Sequence, residues 1–544
     1  MLTAPSLMFL LIGATVNGQD AQALTLLDMP AAFENSTVEI ATCQQACLQL
    51  QATFDVPAEV AERYFTLQQR ELKPRCVVQP ESAEDVSHVV QVVKETRCQF
   101  AVRSGGHGNH AGASSIQDGL LIDLSKLNTV ATSEDESVAM IGAGNRWGDV
   151  YEVLEEKGLL VVGGRSSSVG VAGFTLGGGI SFLSRRYGWA VDNVRNYEVV
   201  LANGTIASVS RDNFPDLYYA LRGGGNNFGI VVRFDFETYR HELLSGGTTV
   251  FVMEDLESRR AALGLTDQWQ WTINSALSQI NKHVFKTIGR LGFAVHSSDV
   301  IREFIALADE KQTDAGAHAY LFFSWVPSYQ GYFFGMTRMY SALDPNPAVF
   351  QNISSLKKLY TTQRVAKMTD FVREINEQNM GLIGKRNIWR TMTLGVNADL
   401  ISDILDVFLS SVHPYTAIPG ALLSCNLQLL TKHEIELFAK NGGNPLGVHP
   451  DDGPLFLFST TFGHKNAADD GRFETLTNDI MSKVASLAKE RGLYHPFIYQ
   501  NYAGPGQDVY AGYGSENRAR LSKIQQKYDP EGIFRKLVSG YHKV

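Results

Sequence analysis

A glycine loop with a single histidine is the segment of this chain best suited to chemistry. The run Arg103-Ser104-Gly105-Gly106-His107-Gly108 follows an apolar stretch that ends at Val102. Backbone amides that no side chain masks form anion-binding concavities, and glycine tolerates the positive φ that such loops need. We expect this main chain to hold a diphosphate, with the His107 imidazole within reach of a bound cofactor ring. The residues assigned to the diphosphate are Ser104, Gly105, Gly106 and Gly108.

Two further glycine groups follow along the chain. Residues 163–179 are the densest glycine region, and apolar residues such as Val169 and Phe174 lie among the glycines. A solvated linker would lack those apolar residues, so we expect backbone packed closely against a planar ligand. The third group, at 223–225, precedes an expected strand at Ile230. A dinucleotide fingerprint instead opens a helix after a strand, so a Rossmann domain is not predicted.

The elements around the first loop can be predicted from local patterns. Residues 77–80 resemble a strand, and Ser82 with Asp85 resembles a capping box that opens a helix. Apolar residues then recur at the helical spacing expected of one buried face. Further strands are expected over 98–102 and 120–124. A helix is expected from Trp147 to Lys157, with Gly158 as its C-cap.

The composition changes near residue 243, after which aromatic residues are more frequent and glycine runs are fewer. Residues 319–326 form a long mixed apolar run that resembles a strand. Helices are expected over 400–409, 473–491 and 515–527. Strands that alternate with helices in this way predict an α+β layer in which helices cover a sheet.

Length and charge limit the classes of function. A chain of 544 residues exceeds what one hydrophobic core usually supports, so two domains are expected. The 48 Lys and Arg residues against 57 Asp and Glu give a net charge of −9, and there is no basic stripe. Nucleic acid is therefore not an expected partner. No run of about 18 apolar residues occurs, so no membrane-spanning segment is expected.

The first 23 residues resemble a secretory signal peptide, with a short apolar run from Ser6 to Ala14. The absence of Lys or Arg before that run departs from the usual pattern. We expect a secreted protein, or one in the lumen of the secretory pathway. Asn35, Asn203 and Asn352 lie in glycosylation sequons and would be glycan acceptors there.

Five cysteines agree with an oxidising compartment. Four of them crowd the N-terminal region, at Cys43, Cys47, Cys76 and Cys98, and Cys425 stands alone. Two disulfides and one free thiol are the simplest expectation, although buried reduced thiols are an alternative. Four cysteines allow three connectivities, and all three stay open.

The motifs occur in an order that resembles the berberine bridge enzyme-like FAD-linked oxidases of the vanillyl-alcohol oxidase superfamily. They are the Gly-Gly-His loop at 103–107, the glycine-rich stretch at 169–179, Tyr-Gly-Trp within 187–193, Gly-Gly-Gly within 222–230, Tyr-x-Asn-Tyr at 499–502 and Tyr-Asp-Pro at 528–530. The resemblance implies an α+β fold with an FAD-binding domain and a substrate domain whose antiparallel sheet is covered by helices. The implied segments are a signal peptide at 1–23, a helical segment at 24–72, the FAD domain at 73–242, the substrate domain at 243–490 and a C-terminal segment at 491–544 that returns to the FAD domain.

The resemblance also implies how FAD is held. His107 would be bonded to the 8α-methyl carbon of the flavin, with His110 a weaker alternative. Ser166 falls where many relatives have a cysteine bonded to flavin C6, so a single covalent attachment is expected. Val169 falls at the position that controls access of O2, and a small residue there favours an oxidase. Further FAD-lining positions are Arg103, Gly170, Gly173, Thr175, Gly177 and Ile230.

The same resemblance assigns the catalytic base to Tyr499 or Tyr502, with Asn501 at the flavin edge. Relatives often carry another tyrosine where this chain has Ile180, and that substitution leaves the assignment open and favours an apolar pocket. We expect a monomeric oxidase that takes hydride from a small, fairly apolar secondary metabolite at an alcohol, amine or activated C–H, with or without cyclisation, and passes electrons to O2 to give H2O2. A carbohydrate oxidase and a flavin-binding protein without turnover are the alternatives. No metal site is predicted, and no Gly-x-Ser-x-Gly elbow suggests a hydrolase.

Overall fold

The structure, a computed structural model, describes residues 41–54, 58–241, 243–265, 293–309, 314–327, 331–540 and 542–544. The expected signal peptide and Asn35 lie outside the described residues. Within those ranges no helix has both the length and the apolar character that crossing a bilayer requires.

Short strands build the N-terminal half of the molecule. They are β1 (Cys76–Val78), β2 (Phe100–Arg103), β3 (Leu120–Asp123), β4 (Val130–Thr132), β5 (Val138–Gly142), β6 (Leu159–Leu160), β7 (Val194–Val200), β8 (Ile206–Ser210), β9 (Ile230–Glu237) and β10 (Tyr239–Arg240). A parallel sheet has the order β1-β3-β2, and an antiparallel five-stranded sheet has the order β4-β5-β9-β7-β8. The expected strands on both sides of the first glycine loop are thereby confirmed.

Helices connect these strands. They are α1 (41–49), α2 (Ala58–Glu62), α3 (Leu67–Arg70), α4 (Ala83–Thr96), α5 (Trp147–Glu155), α6 (Val171–Leu176), α7 (Ser184–Tyr187) and α8 (Pro215–Leu221). The capping box predicted for α4 is present, because the Ser82 side chain accepts from Asp85 N and the Asp85 side chain accepts from Ser82 N. The helix expected over 147–157 ends two residues early. Helix α6 was not expected, because its Gly173 lowers helix propensity.

One large sheet dominates the second half. Its strands are β11 (Leu244–Met253), β12 (Ala294–Val295), β13 (Ala317–Val326), β14 (Gly331–Tyr340), β15 (Tyr360–Thr361), β16 (Arg364–Ala366), β17 (Arg386–Gly395), β18 (Leu422–Leu430), β19 (Leu455–His464) and β20 (Tyr494–His495). The main order is β12-β11-β14-β13-β18-β19-β17-β20, with β15 and β16 also paired to β11. All pairs are antiparallel except β11 with β12.

Helices cover this sheet and close a second apolar core. They are α9 (Leu256–Ala262), α10 (Ser297–Ala306), α11 (Gln351–Ser355), α12 (Met368–Gln378), α13 (Ala398–Val412), α14 (Lys432–Glu436) and α15 (Asp470–Glu490). Phe408 of α13 and Ile480 of α15 are fully buried there with Phe323 of β13. Burial of one face of each helix against the sheet accounts for this layer. The expected α+β architecture is confirmed.

The C-terminal segment ends beside the strand that leads into the first glycine loop. Its helices are α16 (Val509–Gly512), α17 (Ser515–Tyr528) and α18 (Ile533–Lys536). Phe100 N donates to Leu537 O over 2.9 Å, and Ser539 N donates to Phe100 O over 3.0 Å. The tail therefore contacts the strand that leads into residues 103–108. The exact domain boundaries stay predictions.

Two disulfides tie α1 to the same region. They join Cys43 to Cys98 and Cys47 to Cys76, and Cys425 is a buried free thiol. The expected count is confirmed, and the structure selects one of the three connectivities. The sequon residues Asn203 and Asn352 are both exposed. Glycosylation at them stays a prediction.

Candidate active site

Arg103 fixes the start of the glycine loop through buried contacts of its side chain. Its guanidinium is fully buried, forms a 2.5 Å ion pair with Asp123 at the end of β3, and also donates to Val60 O. The ring of Tyr64 lies 4.8 Å from its central carbon. These contacts occupy the guanidinium, so Arg103 positions the loop and its side chain is not directed at a ligand.

The amides of the loop are free. Main-chain N–H groups of residues 104–108 donate to no other described residue, whereas three carbonyls of the loop accept hydrogen bonds. Phe65 N donates to Gly106 O, Arg146 Nη2 to Gly105 O and Gln69 Nε2 to Gly108 O. Carbonyls held by the protein and amides left without partners make the concavity that an anion needs.

The first two glycine groups touch each other through bare backbone. A Cβ placed on Gly105 would lie 2.4 Å from Gly170 Cα, and one placed on Gly170 would lie 2.3 Å from Gly105 N. Ser104 Oγ donates to Ala143 O over 2.6 Å on the same side of the loop. Gly105 and Gly170 are therefore required as glycines for steric reasons.

Gly105→Ala should lower the free energy of unfolding by about 3 kcal/mol or more, because the added methyl meets backbone that cannot rotate away. Thermal unfolding and flavin content would measure the effect. Gly471→Ala is the matched control, because a Cβ at Gly471 meets nothing within 4 Å. Equal stability of the two variants would contradict the steric argument.

His107 presents a neutral imidazole at the edge of the loop. The ring is partly exposed and stacks on Phe65, with centroids 4.0 Å apart. Burial among these neighbours, together with the charge of Arg146, lowers the pKa of His107 to about 4. The ring therefore keeps a nitrogen lone pair at neutral pH. Both nitrogens of His110, the alternative, already lie within 2.8 Å of an oxygen, on Asn109 and Gly540.

Aromatic side chains connect His107 to the predicted tyrosines. Trp389 of β17 lies 6.5 Å from Phe65 and 5.9 Å from Tyr502, measured between ring centroids. Trp389 Nε1 is buried and has no hydrogen-bond partner among the described residues. A buried donor without a partner carries a desolvation cost, which a bound polar group would remove.

Tyr499 is held inside the protein. It is 1% exposed, and its hydroxyl oxygen accepts from Ile180 N over 3.1 Å and from Asn501 Nδ2 over 3.0 Å. Burial, reinforced by Tyr502 nearby, raises the pKa of Tyr499. Two donors already fill the acceptor positions of this oxygen, so it is a poor proton acceptor for a substrate.

Tyr502 is placed differently, although its ring centroid lies only 4.9 Å from that of Tyr499. The side chain is partly exposed, and Arg165 Nη2 donates to its hydroxyl oxygen over 2.5 Å. A positive charge thus faces the oxygen that would carry negative charge if Tyr502 is deprotonated. Of the two predicted tyrosines, the geometry favours Tyr502.

The remaining predicted residues lie around these two loops. Ser166 Oγ donates to Asn376 Oδ1 of α12 over 3.2 Å. Thr175 Oγ1 donates to Val171 O within α6, so its hydroxyl is already bonded. A Cβ on Gly177 would lie 2.1 Å from Asn501 Oδ1. Val169 and Gly173 are partly exposed, and Ile230 is buried at the start of β9.

A buried carboxyl group, that of Glu434, is linked to Tyr499 through Trp189. Trp189 packs against Tyr499 with ring centroids 5.0 Å apart, and its Nε1 donates to Glu434 Oε1 over 2.7 Å. Glu434 is 2% exposed, and burial raises its pKa to about 7. The carboxyl group is therefore largely protonated below neutral pH.

The shifted pKa of Glu434 predicts a pH dependence of stability. Because the folded-state value of about 7 lies above the ordinary 4.5, the stabilisation is complete below pH 4.5 and is lost as the pH rises through 7. The loss should total about 3 kcal/mol, and Glu434→Gln should escape it. Thermal unfolding at about pH 5 and about pH 8 would measure the difference. The exposed Glu436→Gln is the matched control, and parallel curves for all three proteins would contradict the prediction.

The arrangement fits FAD. Free loop amides and the buried, unpartnered Nε of Arg146 can bind a diphosphate. The neutral imidazole of His107 can form a bond to carbon. Sequence reasoning missed Phe65 and Trp389, and also His318 and Gln428, which accept hydrogen bonds from Arg165. None of these four residues belongs to a motif. Arg165 lies inside the second glycine group but was given no role.

Comparison with known proteins agrees with this geometry. A family profile described as an FAD binding domain matches residues 74–210. The FAD-dependent monooxygenase tpcD of Cochliobolus heterostrophus is 34% identical over 540 residues, which cover 93% of this chain and 95% of that protein.

Solved structures share the fold. Xylooligosaccharide oxidase from Myceliophthora thermophila C1 superposes with a TM-score of 0.68 at 18% identity, covering 93% of this chain and 98% of that one. Glucooligosaccharide oxidase from Acremonium strictum, described as carrying a 6-S-cysteinyl, 8α-N1-histidyl FAD, has a TM-score of 0.66 at 19% identity and covers 92% and 98%. At these identities the likeness concerns the fold.

Proposed function

The chain belongs to the berberine bridge enzyme-like FAD-linked oxidoreductases of the vanillyl-alcohol oxidase superfamily, and from that premise we propose an oxidase with FAD bonded once, to His107. The observation that carries the proposal is a neutral His107 imidazole beside a loop whose amides have no partners. Ser166, in place of a cysteine, supports a single bond.

Bound FAD supplies the redox chemistry: it takes a hydride from substrate carbon and returns two electrons to O2, so that an alcohol and O2 give a carbonyl compound and H2O2. The protein orients the substrate and moves the proton. In its deprotonated form, Tyr502 would accept the proton from the substrate oxygen or nitrogen and become a neutral phenol, and the Arg165 guanidinium would stabilise the phenolate before the transfer. Tyr499 and Asn501 hold the adjoining backbone in place. We take the region bordered by His107, Trp389, Tyr502 and Arg165 as the substrate cleft.

The side chains of the cleft support a small substrate of largely apolar character. Phe65, Trp389 and Tyr320 present aromatic surface beside Tyr502. We assign a secondary metabolite oxidised at an alcohol, amine or activated C–H, with or without cyclisation. The disulfides support secretion into an oxidising compartment, and we assign a monomer.

Two other candidates each have a supporting observation. The resemblance to xylooligosaccharide oxidase favours carbohydrate oxidation. The similarity to tpcD, an FAD-dependent monooxygenase, favours monooxygenation, in which one oxygen atom of O2 enters the product. A flavin-binding protein without turnover is the remaining alternative, and no substrate would reduce it.

Anaerobic reduction tests these candidates together. The purified protein would be mixed with a panel of phenolic polyketides, alcohols, amines and oligosaccharides, and flavin bleaching would be followed before air is admitted. An oxidase should bleach with one class and then release about one H2O2 per substrate. Transfer of ¹⁸O from ¹⁸O2 into product would identify monooxygenation instead. If sugars alone bleached the flavin, the substrate would be a carbohydrate and our assignment of a secondary metabolite would be wrong.

A further inference from the structure

Arg165 has no carboxylate partner among the side chains that hold it. Its Nη1 donates to His318 Nε2 over 3.2 Å and to Gln428 Oε1, its Nη2 donates to Tyr502, and the ring of Tyr320 lies 5.1 Å from its central carbon. His318, Gln428 and Tyr320 bring no negative charge to the guanidinium. Burial and the nearby arginines hold the pKa of His318 well below its usual range, and burial raises that of Tyr320.

Carboxylates do not compensate for this charge. Among the described residues, none lies within 4.0 Å of the Arg165 guanidinium as an ion-pair partner. Glu434 interacts with Arg165 electrostatically, but its raised pKa of about 7 keeps it mostly protonated below neutrality. Other arginines of the chain, such as Arg386, have carboxylate partners instead.

Arg165 also has hydrogen-bonding capacity left. A guanidinium has five N–H donors, and the described contacts use three of them. The side chain is partly exposed, as are Tyr502 and Tyr320 beside it. The guanidinium therefore keeps two N–H donors that have no acceptor among the described residues.

A partly desolvated cation without a counter-ion lowers stability, and removing it would be favourable unless a ligand supplies the missing charge. Its immobilisation by His318, Gln428 and Tyr320 means that little side-chain entropy is lost when a ligand binds. A missing counter-ion and a side chain held in one position are the features of a preorganised anion-recognition group.

We propose that Arg165 determines substrate specificity by binding an ionisable oxygen of the substrate: that of a phenol, an enol or a carboxylic acid. The proposal rests on the proposed function in taking this cleft as the substrate site. It narrows the substrate class to planar apolar molecules that carry one acidic oxygen. A neutral oligosaccharide has no group that would pair with this charge.

The test measures equilibrium binding to the oxidised holoenzyme at about pH 6, where Glu434 is mostly protonated, with benzoate and its neutral isostere benzamide as probes. Calorimetry on the unaltered protein should give a Kd for benzoate about tenfold lower than for benzamide, the effect expected of one charge-assisted hydrogen bond. Arg165→Met should abolish the preference, and Arg165→Lys, which keeps the charge, should retain part of it.

Arg302→Met is the matched control, because Arg302 is exposed and already pairs with Asp299 and Glu303. It should leave the preference for benzoate unchanged. Flavin absorbance of each variant establishes that the site is loaded before titration. Equal binding of both probes by the unaltered protein, or a preference that survives in Arg165→Met, would overturn the proposal. Because binding needs no turnover, the result is independent of whether any substrate bleaches the flavin.

Discussion

Acid precipitation of the His107→Ala protein should leave a colourless pellet and yellow supernatant, whereas the unaltered protein should give a yellow pellet. The variant lacks the neutral ring nitrogen that we assign to the covalent bond, so FAD would be retained only by the loop amides. Turnover with added FAD should fall at least about tenfold, because ring position and potential are no longer set by the bond. Absorbance of pellet and supernatant measures the first effect.

His110→Ala is the control for this experiment. His110 lies three residues further along the chain, and its nitrogens contact Asn109 and Gly540. Its loss should affect the packing of the C-terminal tail and leave the flavin in the pellet. A yellow His107→Ala pellet would remove the basis of the assignment, and a colourless His110→Ala pellet would move the bond to that residue.

Tyr502→Phe should lower kcat/KM by about 10²- to 10⁴-fold, the range for loss of a general base. The reason is positional: this hydroxyl is partly exposed and receives a hydrogen bond from Arg165. The aromatic contact with Trp389 would survive in the variant, so binding should change little. The rate of anaerobic flavin reduction by a substrate from the panel measures the chemical step directly.

Tyr499→Phe provides the comparison. Removing this hydroxyl leaves Ile180 N and Asn501 Nδ2 without their acceptor, which should lower the free energy of unfolding by about 1–3 kcal/mol. The reduction rate should change much less than in Tyr502→Phe. A larger rate loss in Tyr499→Phe would reverse the roles assigned to the two residues.

Elements with strong local signals could be predicted from the sequence. Helix α4 combines a capping box at Ser82 with a valine face, and both features act within a few residues. The apolar runs of the second half indicated strands such as β13 but did not indicate which strands pair with each other. Strand β13 pairs with β18 about a hundred residues later, and such long-range pairing depends on packing that no short window contains.

The choice between Tyr499 and Tyr502 could not be made from the sequence. The two residues belong to one motif, and either could have faced the cleft. What separates them is a hydrogen bond from Ile180, 319 residues away, which occupies one hydroxyl and leaves the other available. The substitution at Ile180 was expected to act through its apolar side chain, but its main-chain amide makes the contact.

Polar residues of the cleft were missed for a related reason. His318 and Gln428 lie on adjacent strands, and each occurs within a run dominated by apolar residues. Arg165 reaches them from a loop more than 150 residues earlier in the chain. Only the assembled sheet brings these three side chains together.

The paired cysteines constrain how the protein can be produced. Cys98 lies two residues before β2, the strand that leads into the first glycine loop, and its bond to Cys43 ties that strand to α1. A bacterial cytoplasm keeps thiols reduced, so material made there would lack both cross-links. Production hosts that export the chain through an oxidising lumen are therefore the appropriate source of protein with both disulfides formed.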